Sequence, residues 1–189
     1  MNAYRKISLA AAALFLAGSV ASAAPALADG GACLAAAHDN DSAKSYRAIM
    51  TSGLSGKTTV STIDIVKPDR FHETGTNEEM IAIGHKAWMR MGSAGWKSLP
   101  GMDVSDLFST TGVKFKNTNG LSCVDAGMGL WHGQPAHIYK GASTSVHGPV
   151  HSTLYVMSDG YVHHIEMTTT SGNVEMDFTN FNSASVNPP

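Results

Sequence analysis

Two tight turns near the C-terminus, Asp159-Gly160 and Ser171-Gly172, restrict this chain more than any other feature. A two-residue turn fixes which residues of its flanking strands lie opposite each other. Asp159-Gly160 predicts Ser158 against Tyr161, hence Val156 against His163 and Leu154 against Ile165. Ser171-Gly172 predicts Met167 against Met176 and Ile165 against Phe178. Because side chains alternate along a strand, both turns assign Leu154, Val156, Ile165, Met167, Val174, Met176 and Phe178 to one face, with His163 among them. The opposite face receives Thr153, Tyr155, His164, Glu166, Glu175 and Asp177. Two independent turns that agree on one apolar face predict an antiparallel meander with a single dry side.

The same punctuation recurs upstream. Runs rich in β-branched and aromatic residues lie at 46–51, 58–66, 80–83, 86–91 and 136–140, separated by Gly53 to Gly56, Pro68-Asp69, Gly84-His85 and Gly92 to Gly95. Short strands at this spacing predict an antiparallel sheet rather than alternating βαβ units. Gly84-His85 pairs Ile81 with Trp88 and Glu79 with Arg90, which leaves Met80, Ala82, Ala87, Met89 and Met91 together. Continuing round Ser93-Ala94 places Trp96 opposite Met91 and Lys97 beside Arg90. The Met-and-Trp face is therefore expected inward. Ile81, Ile83 and Trp88 then fall on the side with the charges, so that side is partly covered or a bulge breaks the register. Ala32 to His38 can start a short helix, and Asp103 to Phe108 one helical turn or two. At 189 residues, one domain is the expectation.

The first segment is a targeting device. Arg5 and Lys6 precede an apolar, Ala-rich stretch from Ile7 to Val20, which small residues close at Ala21-Ser22-Ala23 and again at Ala26-Leu27-Ala28. This is the order of a secretory signal peptide, residues 1–23, with cleavage after residue 28 fitting as well. The mature domain, 29–189, should then be soluble and exported, to the periplasm or beyond. Two cysteines, Cys33 and Cys123, read as a disulfide in an oxidising compartment. Closing that loop of about 90 residues is worth roughly 4–5 kcal/mol in the chain-entropy model. A formal net charge of −2 argues against a protein that grips nucleic-acid phosphates.

Several strings in this order resemble one family. Val66-Lys67-Pro68-Asp69-Arg70-Phe71 is followed by Ile83-Gly84-His85-Lys86-Ala87-Trp88-Met89-Arg90 and Gly95-Trp96. Ser158-Asp159-Gly160-Tyr161-Val162 and Val174-Glu175-Met176-Asp177-Phe178-Thr179-Asn180-Phe181 come later. The chain, from about Tyr46 to Phe181, resembles the LolA/LppX-like superfamily of bacterial periplasmic carriers of lipids and lipoproteins. The resemblance implies a mainly β (α+β) fold: a single, strongly curved antiparallel sheet, a half-open barrel, with a few short helices over its concave face. It also implies an apolar chamber between sheet and helices that holds acyl chains.

Three chemistries compete for the dry face. An apolar chamber would be lined by Met80, Met89, Met91, Trp96, Leu154, Val156, Ile165, Met167, Val174, Met176 and Phe178. Methionine is adaptable and suits floppy chains, although the same residues would equally fill a solid core. A lipid or lipoprotein acyl chain is then the partner, with transient contact to a membrane surface or membrane protein, and the protein is expected to be a monomer. A periplasmic His/Met protein binding copper or zinc is the alternative, drawing on His147, His151 and His163 among the histidines crowded into the C-terminal half. No His-Glu-x-x-His or Cys-x-x-Cys string supports it. Catalysis is not expected: Gly-x-Ser-x-Gly is absent, and Gly127-Met128-Gly129 lacks the lysine of a phosphate loop. No cofactor is implied. A non-catalytic interaction module using the sheet edge is the remaining reading.

Overall fold

A computed structural model describes residues 40, 42–54, 56–101, 122–145 and 148–189, the side chain of Ser145 excepted. The signal segment, Cys33, the helix expected over 32–38, the helical turns expected over 103–108, and His147 lie outside the described residues. Among the described residues only Asn40 and Ser42 are helical. The rest is one antiparallel sheet.

Eleven strands follow in chain order: β1 (Ser45–Leu54), β2 (Lys57–Val66), β3 (Arg70–Thr74), β4 (Glu78–Ile83), β5 (Lys86–Met91), β6 (Lys97–Leu99), β7 (Ser122–Trp131), β8 (Gln134–Ser145), β9 (Gly148–Val156), β10 (Val162–Thr169) and β11 (Gly172–Thr179). Their spatial order is β6-β5-β4-β3-β2-β1-β11-β10-β9-β8-β7, so among the described residues β6 and β7 are the outermost strands. The chain walks outward from β1 to one edge, resumes at the other edge, and walks back until β11 closes against β1. Each half is a meander of hairpins, so tight turns do most of the organising. The exception is the β1–β11 pair, which joins the two ends of the chain.

The β1–β11 seam is tight at its far end. Gly172 lies opposite Leu54 with φ of 141°, and a Cβ there would stand 1.9 Å from the carbonyl oxygen of Gly53. No side chain fits without moving that backbone. Beside the near end, the segment before β1 is tied to β10 by a side chain. Asn40 Nδ2 donates to the Val162 carbonyl at 3.0 Å, and the Val162 amide donates to Asn40 Oδ1 at 2.8 Å. The carboxamide thus replaces a strand neighbour where β10 begins.

The register shows which expectations survive. At Gly84-His85 the pairs Ile81–Trp88 and Glu79–Arg90 form as expected, with no bulge between β4 and β5. Ile81 is nevertheless only 6% exposed, so the charged side is partly covered there. The C-terminal tail returns to that side, where Arg70 Nη1 donates to the carbonyl of buried Val186 at 3.1 Å. At the second C-terminal turn, Thr169 pairs with Gly172, so Thr170-Ser171 makes the loop. Ile165 therefore faces Met176 and Met167 faces Val174, two residues from the expected register. A slip of two keeps every side chain on its face.

A slip of one does not. Around 158–161 the loop is longer than two residues: Met157 N donates to the Tyr161 carbonyl at 3.0 Å, and β10 carries a bulge. Leu154 faces Ile165 as expected, but Val156 faces Val162, not His163. His163 is the extra residue of the bulge, and Val162 takes the buried position expected for it. At the other edge Lys97 lies opposite Met89 rather than beside Arg90. Trp96 is thereby removed from the Met face and packs under Arg90, whose guanidinium carbon lies 4.9 Å from the ring centre.

Candidate functional site

The dry face is built row by row from the register. Phe71, Ile65 and Tyr46 align across β3, β2 and β1, flanked by Ala82 and Ala87. The next row runs Met89, Met80, Glu73, Ile63, Ala48 and Phe178. A third joins Met50, Met176, Ile165, Leu154 and Tyr139. Buried side chains fall into two clusters, one centred on Phe71, Met80 and Met89, the other on Leu154, Ile165 and Phe178. Tyr46 and Ile63 pack against both, so the face is continuous across the β1 seam. A fully buried Phe71 alone removes enough apolar area to stabilise by roughly 1.5–3 kcal/mol.

Of the residues expected to line a chamber, Met80, Met89, Leu154, Ile165, Val174 and Phe178 are buried on this face. Val156, Met167 and Met176 are half-buried and pack against the second cluster. Met91 shares the face but is 48% exposed at its margin. Trp96 is not on it. Near the β7 edge the same side carries Met128 and Leu130, each 69% exposed. Sequence reading passed over Tyr46, Ile63 and Phe71. The turn at 55–56 held the signal: treated as a two-residue loop it pairs Ala48 with Ile63, as observed.

Polar groups also lie on this face: buried Ser52 opposite Val174, and Glu73 and Ser61 nearer the Met80 and Met89 wall. Glu73 lies between its cross-strand neighbours Ile63 and Met80, with Phe71 two residues before it on the same face. Burial pushes its carboxyl up, the charge of Glu78 adds to the shift, and the Ser61 hydroxyl eases it. Ser61, opposite Met50, is 9% exposed, and its Oγ makes no hydrogen bond of full geometry to the protein.

The polar face is organised by ion pairs. Arg47 grips buried Asp64 with two bonds, at 2.8 and 2.9 Å. Glu79 accepts from His72 at 2.8 Å and is paired with Arg90. Burial pushes the Glu79 carboxyl up, but these partners together hold it below the usual range. His164 is buried although it points this way, because Trp131 stacks on it at 5.5 Å and Tyr155 flanks it at 5.3 Å. Its Nδ1 lies 2.6 Å from Asp177 Oδ1, and the Tyr155 hydroxyl donates to Glu166 at 3.2 Å.

Of the histidines weighed as metal ligands, His151 and His163 are not brought together. His163 Nε2 is 2.9 Å from Asp159 Oδ2, whereas His151 lies opposite Thr168 at the other end of β10. Among the described residues, no group of three or more His, Cys, Asp or Glu side chains is placed to hold a metal ion. Cys123 is buried on the dry side opposite Gly141.

No protein-family model matches the chain, and no curated protein matches it in sequence. Solved structures do match. The Mycobacterium tuberculosis lipoprotein LppX aligns with a TM-score of 0.61 at 14% identity, over 82% of this chain and 96% of that one. LprF from Mycobacterium bovis aligns with a TM-score of 0.59 at 11% identity, over 82% of this chain and 93% of that one. At such identity the likeness concerns the fold. With strand order and a continuous apolar face already established, the chain has the fold of LppX and LprF.

Proposed function

We propose that this chain is an exported, non-catalytic binding protein for an amphiphile, a lipid or lipoprotein acyl chain, held against the apolar face. The observation that carries the reading is the continuity of that face: Tyr46 and Ile63 bridge two clusters that would otherwise be separate cores. Its supporting fold is shared with a lipoprotein, LppX. Met80, Met89, Met167 and Met176 supply adaptable, polarisable contacts to a flexible chain. The mechanism is partition. Each methylene that leaves water contributes about 0.8 kcal/mol, so ten of them suffice to retain a lipid.

The finer parts of the proposal are the lining residues, the signal peptide at residues 1–23, the Cys33–Cys123 disulfide and the extracytoplasmic location. Non-reducing peptide mapping tests the disulfide: a single cross-linked peptide is expected, and two free thiols in the exported protein refute it. Native mass spectrometry of protein purified from the exported fraction tests the function. A co-purified lipid mass, displaced by a hydrophobic fluorescent dye, is expected. Protein that carries no lipid and leaves the dye dark sinks the reading.

A further inference from the structure

Glu73 and Ser61 stand where an acyl-binding wall has no use for them. The carboxyl projects from the row that contains Ile63, Met80, Met89, Ala48 and Phe178, and Ser61 sits diagonally beside it on β2. A carboxyl among apolar neighbours weakens the fold relative to a methionine or leucine of similar size. A buried hydroxyl that is only partly satisfied carries a similar cost, and Ser61 Oγ reaches Glu73 without a hydrogen bond of full geometry. The charged side chains on the same side within reach are acidic: Glu78 lies diagonally across β4, and Lys97 stands three strands away beyond Met89 and Met80.

We infer that Glu73 and Ser61 form the head-group subsite of the apolar face and select an uncharged, hydroxyl-bearing amphiphile over one with a carboxylate head. A ligand hydroxyl can donate to the Glu73 carboxylate and accept from Ser61 Oγ, which satisfies both groups at once. A fatty-acid carboxylate offers no proton to donate and places its charge beside Glu73 and Glu78, where like charges repel in a poorly solvated setting. The acyl tail then extends from this point along the Met80 and Met89 wall or across the β1 seam towards Met176 and Leu154. This inference rests on the amphiphile-binding reading and adds a head-group chemistry to it.

The test uses the full mature protein and two probes with one tail, monooleoylglycerol and oleate, at neutral pH below their aggregation concentrations. Monooleoylglycerol is expected to bind about tenfold tighter, the factor for one satisfied hydrogen bond. Glu73→Gln should bring oleate up towards the glyceride, and Ser61→Ala should weaken the glyceride while leaving oleate unchanged. Thermal unfolding of each variant reports whether it folds, and Glu73→Met should unfold at a higher temperature than the parent chain. Equal affinity for the two probes, or a preference untouched by both substitutions, overturns the subsite and leaves amphiphile binding standing. Failure to bind either probe overturns both.

Discussion

The two arms of the sheet differ in how they divide their faces. From β9 to β11 the division is clean: Leu154, Ile165, Val174 and Phe178 go one way, and Thr153, Glu166 and Glu175 the other. From β3 to β5 it is mixed. Met80 and Met89 face the core with Glu73 among them, while Ile81 is buried on the side that carries His72, Glu79 and Arg90. A clean arm keeps its face through an error in register, provided the error is even. A mixed arm gives the pattern no purchase, and only the turn decides.

The sharpest way to break this comparison is to remove one large side chain from each arm. Phe71→Ala and Phe178→Ala should each cost about 3–5 kcal/mol in denaturant unfolding, as deletions of buried phenylalanine do. Unfolding of the double variant in one transition is expected, because Tyr46 and Ile63 join the clusters. Two separated transitions would show that the arms are independent cores. Gly172→Ala should follow closely, at about 2–4 kcal/mol, because its Cβ collides with the backbone of Gly53 at the seam.

Introducing charge on either arm asks whether they share one site. Met89→Asp and Met176→Asp should both abolish dye uptake. Loss with only one of them, in variants that still melt cooperatively, would confine the ligand to one arm. The polar face of the mixed arm offers a smaller effect. Arg47→Met leaves Asp64 buried and unpaired, at a cost of about 1–3 kcal/mol because the arginine itself is partly exposed. A thermal midpoint unchanged from the parent would show that water takes over the role of the arginine.

The smallest effect contrasts the two faces of β3 and β4. The Glu73 carboxyl is pushed up by burial, so its contribution is full below the usual glutamate value and is lost as pH rises through the raised one. Glu79 is held down against its burial by His72 and Arg90, so its contribution is present above the usual value and lost as pH falls through the lowered one. Glu73→Gln should therefore flatten the decline in stability above about pH 4, and Glu79→Gln the decline below it. Chemical unfolding across pH reads both slopes, and identical curves for Glu73→Gln and the parent would contradict the upward shift of the half-buried carboxyl.

How far the site was legible follows from these rules. Leu154, Ile165, Met167, Met176 and Phe178 were assignable because the misplaced 170–172 turn moved the register by two. Trp96 and His163 were misplaced because a one-residue shift at β6 and a bulge in β10 reverse the face. Strand β7 gave little signal. Its Cys-Val-Asp-Ala-Gly-Met-Gly core has low strand propensity, and its pairing with β8 supplies what the local pattern lacks.

The sequence by itself determined the antiparallel meanders and the dry face of β4–β5 and of most of β9–β11, because turns and alternation act over a few residues. Only the tertiary structure decided that β1 closes against β11, so that Tyr46 and Ile63 fuse two apolar halves. Those outcomes depend on pairing between strands more than a hundred residues apart, for which no local pattern carries the register.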